Sequence, residues 1–246
     1  MSRPQPRELR VTRKTLITPN MLRITLGGEN ISTIPEDQES GYVKLMFPQG
    51  ETKPLVRTYT IRQQRPTEID IDFVLHEDGG PASTWAKNAQ NNEAIMVGGP
   101  GPKKMIIHTT DWQLLVGDMT ALPAISVNLA KLPDDAKGYA VIEVVSEEDI
   151  QTLSHPAGIE LKWIITPHPG QHSTTLLDAV KSLPWLEGTP SVWAACEFSS
   201  MKALRAFFKN DKAVSKENLY ISSYWKLGSN EDQHKIAKRD DAETAL

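Results

Sequence analysis

The chain reads as two structural classes in series, an antiparallel β-barrel followed by an α/β unit built on a parallel sheet. Three observations carry that reading. Roughly the first 100 residues run as short alternating apolar–polar stretches between turn signals. Beyond Trp112 the pattern changes to short apolar runs that alternate with helical segments. Between the two lies Gly98-Gly99-Pro100-Gly101-Pro102, followed by Lys103-Lys104. The expected divisions are residues 1–109, residues 110–228, and a charged segment, 229–246, that is either a solvated helix or a tail.

In the first part, alternation places strands over Leu9–Ile17, Leu22–Leu26, Tyr42–Phe47, Val56–Arg62, Ile69–Leu75 and Ala94–Val97. Turns fall at Thr18-Pro19-Asn20, Gly27-Gly28 and Pro48-Gln49-Gly50. Closure into a small barrel removes the edges that so many short strands would expose. A short helix over Ala82–Ala89 is entered through Gly79-Gly80-Pro81. In the second part, strands are expected at Leu114–Val116, Ala140–Val145, Glu160–Ile165, Val192–Ala195 and Leu219–Tyr224. Helices are expected at Ala121–Leu132, Thr174–Leu183 and Ser199–Lys209. The alternation implies a parallel sheet covered on both faces, and a ligand is expected in the cleft between the two parts.

Composition narrows the function classes. Of 246 residues, 39% are hydrophobic and 24% charged, the balance of a soluble globular protein. No apolar run reaches the roughly 18 residues that span a bilayer. The stretch Met1-Ser2-Arg3-Pro4-Gln5-Pro6-Arg7 leads into no hydrophobic signal core. One cysteine, Cys196, excludes an internal disulfide framework and a multi-cysteine metal site. The net charge of −4 argues against general nucleic-acid binding. A cytoplasmic monomer without membrane or nucleic-acid partners is the expectation.

The chemistry begins at Val56-Arg57-Thr58-Tyr59-Thr60-Ile61. The Arg57 guanidinium can fork onto a pyrophosphate. The Tyr59 ring offers a flat apolar face for an isoalloxazine. Thr60, two residues beyond Thr58, carries a hydroxyl that can reach a flavin's reactive nitrogen. A second segment, Asp70 to His76, ends in Glu77-Asp78-Gly79-Gly80 and opens a helix at Pro81-Ala82-Ser83. Free amides at that helix start suit a phosphate, and Ser83 adds a hydroxyl. His76 suits either cofactor contact or a structural role, and Trp85 suits a core position. A third segment, Gly117-Asp118-Met119-Thr120-Ala121-Leu122-Pro123, is a strand–turn–helix start without the G-x-G-x-x-G fingerprint. Here Thr120 is a flavin contact or, with Asp118, a helix cap. A fourth, Trp193-Ala194-Ala195-Cys196-Glu197, puts Cys196 at a strand end, where a small buried residue is the expectation over a redox thiol. The last, Tyr224-Trp225-Lys226, puts Trp225 where it covers a flavin edge or plugs a core. His168 and His172 are separated by Pro169 and Gly170 and read as loop residues. Phosphate-loop, serine-hydrolase and zinc-protease motifs are absent.

Taken in order, these segments resemble the siderophore-interacting protein family of flavin-dependent ferric-siderophore reductases, within the ferredoxin-reductase-like superfamily. The resemblance runs over roughly residues 8–228. It implies a barrel that holds FAD without a covalent bond, followed by a nucleotide-binding-like domain. Onto the family's flavin site map Arg57, Thr58, Tyr59 and Thr60, then Asp72, Phe73, Val74 and His76. Pro81, Ala82 and Ser83 map onto the pyrophosphate turn, and Thr120 and Trp225 onto contacts from the second domain. The implied reaction reduces Fe(III) in an imported siderophore to Fe(II), with electrons from NADH, NADPH or a ferredoxin. Hard oxygen chelators hold Fe(III) far better than Fe(II). Candidate cations for the anionic chelate are Lys44, Lys53, Lys131 and Lys226. Met119 departs from a common acidic residue, Cys196 from a glycine, and Leu227 from a second basic residue. Two alternatives stay open: a reductase of a protein redox partner, and a siderophore-binding protein without catalysis.

Overall fold

A computed structural model describes residues 5–50, 52–75 and 79–244. The chain separates into two compact units, Met1–Met105 with Ser126–Asn128, and Ile106–Ile125 with Leu129–Leu246.

The first unit contains β1 (Arg7–Thr18), β2 (Met21–Gly27), β3 (Tyr42–Gln49), β4 (Thr52–Arg65), β5 (Glu68–Val74), α1 (Pro81–Asn88) and β6 (Ala94–Gly101). Among the described residues, six strands close a barrel in the order β1-β2-β5-β4-β3-β6. Closure follows from the pairing of β1 with both β2 and β6. Inward positions alternate as the pleat requires, and Val43, Leu45 and Phe47 on β3 meet Ile61, Ile71 and Phe73 in one core. The expected strands are all present, and β1 and β4 extend beyond their expected ends. A 3₁₀ turn at Glu29–Thr33, which the apolar pattern does not signal, links β2 to β3.

The second unit contains β7 (Trp112–Gly117), α2 (Leu122–Ala130), β8 (Lys137–Val144), β9 (Gly158–Ile165), α3 (Thr175–Lys181), β10 (Pro190–Glu197), α4 (Phe198–Ala206), β11 (Leu219–Trp225) and α5 (Glu231–Thr244). Among the described residues its sheet is parallel and five-stranded, in the order β11-β10-β7-β8-β9. Every residue of β7 is buried, so both faces of this central strand are covered, as the continuous apolar run suggests. Strand order reverses between β7 and β10. A π-type turn over Phe207–Asp211 extends α4.

The segment left open between helix and tail is helical. Arg205 on α4 forks onto Asp241 of α5 at 2.6 and 2.7 Å. On β11, the Ser223 hydroxyl meets His234 Nε2 at 2.8 Å, and Lys238 donates to the Ser223 carbonyl at 2.9 Å. Burial, with Lys238 close by, pushes His234 down to about 4, so it is neutral at physiological pH.

Gly138 at the start of β8 shows how tightly this sheet is built. Its φ is +137°, and a Cβ there would lie 1.9 Å from the Gln113 carbonyl oxygen on β7. Gly138→Ala is therefore expected to destabilise the fold by about 2 kcal/mol or more. Urea denaturation followed by circular dichroism measures the loss, and an unchanged midpoint would contradict this reading.

Candidate functional site

The candidate residues of the barrel gather where two strands part. β4 and β5 pair from Arg65–Glu68 to Ile61–Ile71, and among the described residues the ladder goes no further. Beyond that point β4 pairs with β3 alone and β5 with β2 alone. Arg57, Thr58, Tyr59 and Thr60 lie on β4 past the end of the ladder, and Asp72, Phe73 and Val74 lie past it on β5. Both strands therefore bring an edge to the opening, and an edge presents backbone groups to a ligand.

Side chains divide between the faces of β4. Arg57 lies opposite Leu45, and Tyr59 opposite Val43, so both share the inward face. Thr58 and Thr60 lie opposite Lys44 and Tyr42 on the outward face. Thr60 thus does not share a side with Arg57 and Tyr59, because period-two alternation separates them. The Tyr59 ring is half-buried and packs on Phe73 with centroids 4.3 Å apart. Phe73 packs on Trp85 at 5.9 Å, and Trp85 also meets Phe47 at 5.5 Å. Trp85 is therefore a core aromatic, as expected, and Phe73 is wholly enclosed and backs Tyr59.

Asp72 is committed elsewhere. Its carboxylate takes a fork from Arg23, with Nε at 2.6 Å and Nη2 at 2.8 Å. Neighbouring Asp70 accepts from Thr25 and from both terminal nitrogens of Arg65. Burial works against the Asp70 charge, and Arg65 and Thr25 outweigh it, holding that carboxyl below the usual range. Val74 is half-buried beside Met21. His76 lies outside the described residues.

After β5 the chain enters α1. Pro81 occupies the first turn, where an amide would have no helical partner. Thr84 N donates to the Gly80 carbonyl at 3.0 Å and closes the turn. The amides of Ala82 and Ser83 precede the helical ladder and so stay outside it. The Ser83 hydroxyl donates to Gly80 O at 3.0 Å, which leaves its amide as the better anion donor. A Cβ on Gly80 would meet nothing within 4 Å, so the approach to these amides is open.

The second unit collects its polar groups at the C-terminal edge of the sheet. Asp118, just past β7, is buried. Its Oδ1 accepts from the Thr120 amide at 2.9 Å and the Thr120 hydroxyl at 2.5 Å. Its Oδ2 accepts from the Glu197 amide at 2.9 Å and from Trp225 Nε1 at 2.8 Å. Of the two readings of Asp118 and Thr120, this geometry supplies the turn-capping one.

These two units are matched by two family profiles. The siderophore-interacting FAD-binding domain profile matches residues 10–53 and 48–104. The siderophore-interacting protein profile matches residues 110–228. Ferric vibriobactin reductase ViuB of Vibrio cholerae is 36% identical, over 95% of this chain and 94% of its own. The chain belongs to the siderophore-interacting protein family. Ferric acinetobactin reductase of Acinetobacter baumannii is 31% identical, over 72% of this chain and 63% of its own. The crystal structure of the siderophore-interacting protein SipS from Aeromonas hydrophila matches with a TM-score of 0.86 at 32% identity, covering 97% of this chain and 98% of that one. The architecture shared with SipS is ferredoxin-reductase-like, a barrel followed by a parallel sheet.

Of the four candidate lysines, Lys44 and Lys53 lie in the first unit and Lys131 and Lys226 in the second. Lys44 donates to the Thr58 hydroxyl and stands 5.6 Å from the Tyr42 ring centroid. Lys53 is exposed on β4, five residues before Thr58, or roughly 17 Å along a strand. In the second unit Lys131 is exposed beyond α2, and Lys226 lies 5.1 Å from the Phe198 ring centroid.

Three groups carry weight that motif reading did not assign. Glu197 ends β10 and caps α4, accepting from Ser199 N at 2.5 Å, Ser200 N at 3.2 Å and Leu227 N at 3.1 Å. Its signal is an acidic residue directly before Phe198-Ser199-Ser200 at a helix start. Glu143 on β8 carries no motif. Burial, with Asp118 and Glu197 adding repulsion, pushes it up to about 7. Gly170 has φ +82°, and its backbone approaches Trp225 and Glu197 closely. Cys196 is fully enclosed and packs among core residues with Ala194 and Met201, and burial raises its thiol well above the ordinary range. It is a packed residue, as expected, and no nucleophile.

Two measurements follow from these burials. Arg23→Ala leaves the Asp72 carboxylate buried without its fork, and a loss of about 3 kcal/mol in urea denaturation is expected. A loss no larger than that of an exposed arginine would contradict it. Glu143 binds its proton more tightly when folded than unfolded, so stability falls as pH rises from about 4.5 through 7. Glu143→Gln should flatten that slope and raise the melting temperature at pH 8, by on the order of 2 kcal/mol in free energy. A slope unchanged in the variant would remove Glu143 as its source.

Proposed function

We propose that this chain reduces ferric siderophores to release Fe(II) in the cytoplasm, using FAD held by the first unit. Electrons arrive from NADH, NADPH or a ferredoxin. The observation that carries the reading is the end of the β4–β5 ladder beside Arg57 and Tyr59. It opens two strand edges, one of them on β5, against which α1 packs through Trp85 and Phe73, within the region matched by the FAD-binding profile.

The residues at the opening fit FAD. Arg57 is half-buried on the inward face and supplies a charged fork for the pyrophosphate. The open approach at Gly80 leads to the Ala82 and Ser83 amides, which suit the same anion. Tyr59, fixed from behind by Phe73, presents its ring to the isoalloxazine. Thr58 and Thr60 reach it by their backbone edge or from the outward face. Asp72 acts through backbone, since Arg23 holds its carboxylate. Thr120 and Trp225 belong to the second unit's contribution, both tied to Asp118.

A bound flavin accepts two electrons together and passes them on singly, which matches a one-electron ferric acceptor. The chain's own work is binding, orientation and charge. No side chain needs to move a proton for Fe(III) to become Fe(II). Lys44, Lys53, Lys131 and Lys226 are the cations proposed to draw an anionic chelate, acting through the summed field. Among the described residues no helix is long and apolar enough to cross a membrane.

Two experiments test the reading. Anaerobic purified holoprotein is mixed with a reductant and then with a ferric catecholate or hydroxamate in the presence of a ferrous trap. Flavin bleaching, reoxidation by the chelate and trapped Fe(II) are expected. A flavin that bleaches but ignores every ferric chelate would favour a reductase of a protein partner. Arg57→Ala is expected to lose FAD during purification, since each charge-assisted bond contributes roughly 1.5–3 kcal/mol. Unchanged flavin content in a folded variant would sink the Arg57 assignment.

A further inference from the structure

The second unit has the topology of a dinucleotide-binding sheet, and its binding position is already filled by the chain. Strand order reverses between β7 and β10, and helices α2 and α4 begin beyond those two strands. In such sheets the ligand lies outside the strand ends at the reversal, with its anionic groups on the helix-start amides. Here Asp118 takes the Thr120 amide beyond β7, and Glu197 takes the Ser199 and Ser200 amides that start α4. The two acids are joined, because the Glu197 amide donates to Asp118 Oδ2. Trp225 Nε1 donates to the same oxygen, and the Leu227 amide donates to Glu197 Oε1. A phosphate would have to take these donors from carboxylates that are already in place. The two carboxyl groups and Glu143 are all buried, so the position offers a phosphate no solvent-facing seat.

The strand-end loop closes the same position from outside. The segment after β9 leaves from the far edge of the sheet, yet its Gly170 reaches the β10–β11 end. A Cβ on Gly170 would lie 2.8 Å from the Trp225 ring and 3.1 Å from the Glu197 side chain. Only bare backbone fits there, so the loop lies directly on the acidic cap.

We propose that Asp118 and Glu197 are specificity-determining residues that keep a dinucleotide pyrophosphate off the sheet, so that reduction depends on a carrier that needs no seat there. Small one-electron redox proteins form that class. Two oxidations of such a carrier balance two ferric-to-ferrous reductions. This rests on the flavin-reductase reading above and narrows its electron donor.

The test uses the FAD-loaded protein. Calorimetric titration with NADP⁺ and NAD⁺ should give no saturable binding up to about 1 mM, the upper end of ordinary Michaelis constants. Anaerobic bleaching should rise linearly with NADPH and saturate with reduced ferredoxin. Glu197→Gln removes the charge, and Glu197→Gly also opens the socket. Saturable NADP⁺ binding should appear in these variants with an affinity at least about tenfold above wild type. Wild-type binding tighter than about 100 μM would overturn the proposal whether or not the variants fold. So would folded variants that gain nothing. Fe(II) release by dithionite-reduced wild-type holoprotein reports separately on the flavin reading, because it bypasses the donor.

Discussion

A β-strand edge is a row of unpaired amides and carbonyls, and the first unit is organised by where it removes such edges and where it keeps them. β1 closes the barrel by pairing on both sides, which hides the edges of a six-stranded sheet. Between β4 and β5 closure stops at Ile61–Ile71. The strands cannot simply drift apart there, because Phe73 and Tyr59 bridge them and Trp85 locks Phe73 to β3 through Phe47. The opening is held by an aromatic stack at the end of a ladder, so its shape is set by core packing. That is a rigid way to present backbone groups, an arginine and a ring at the proposed flavin site.

Buried charge is handled in opposite ways by the two units. On the barrel, Asp70 and Asp72 are neutralised by forks from Arg65 and Arg23, which keeps them ionised. At the sheet edge, Asp118 and Glu197 are held instead by amides, a hydroxyl and an indole. Dipoles satisfy hydrogen bonds without cancelling charge, and burial outweighs them at Asp118, raising its carboxyl above the ordinary range. Glu143 lies in the same surroundings: burial first, and then repulsion from Asp118 and Glu197, pushes its carboxyl up to about 7.

The alternation of β3 and β5, the apolar run of β7 and the glycine-rich turn before α1 were all readable from residue order, because each depends on near neighbours. Arg57 and Tyr59 stand out because their chemistry is distinctive, and their spacing puts them on one face. Thr60 lies on the opposite face from both, since adjacent strand residues point apart. The Arg23–Asp72 fork was not readable: its partners are 49 positions apart and depend on β2–β5 register. The role of Glu197 was hidden for a different reason. A lone acid before two serines looks like an ordinary cap until the strand order shows that this cap lies at the sheet's reversal. Gly170 looked like a loop residue, and only the crossing of its loop toward β10 reveals why a side chain there is excluded.

The residues in which this chain departs from its family resemblance gain meaning from those positions. Cys196 replaces an expected glycine, and its side chain turns into the core beside Met201. Met119 stands where the resemblance leads one to expect an acidic residue, and it is buried in the turn between Asp118 and Thr120. A further carboxylate there would add repulsion to a cluster that already lifts Glu143, so an apolar residue relieves the site without opening it. Leu227 replaces an expected base, yet its amide still holds Glu197 Oε1. The backbone contact that builds the cap is kept, while a positive charge that would soften its field is gone. Two of these departures, at Met119 and Leu227, border the same acidic cap, and they leave its two carboxylates as the fixed feature around which the turn is packed.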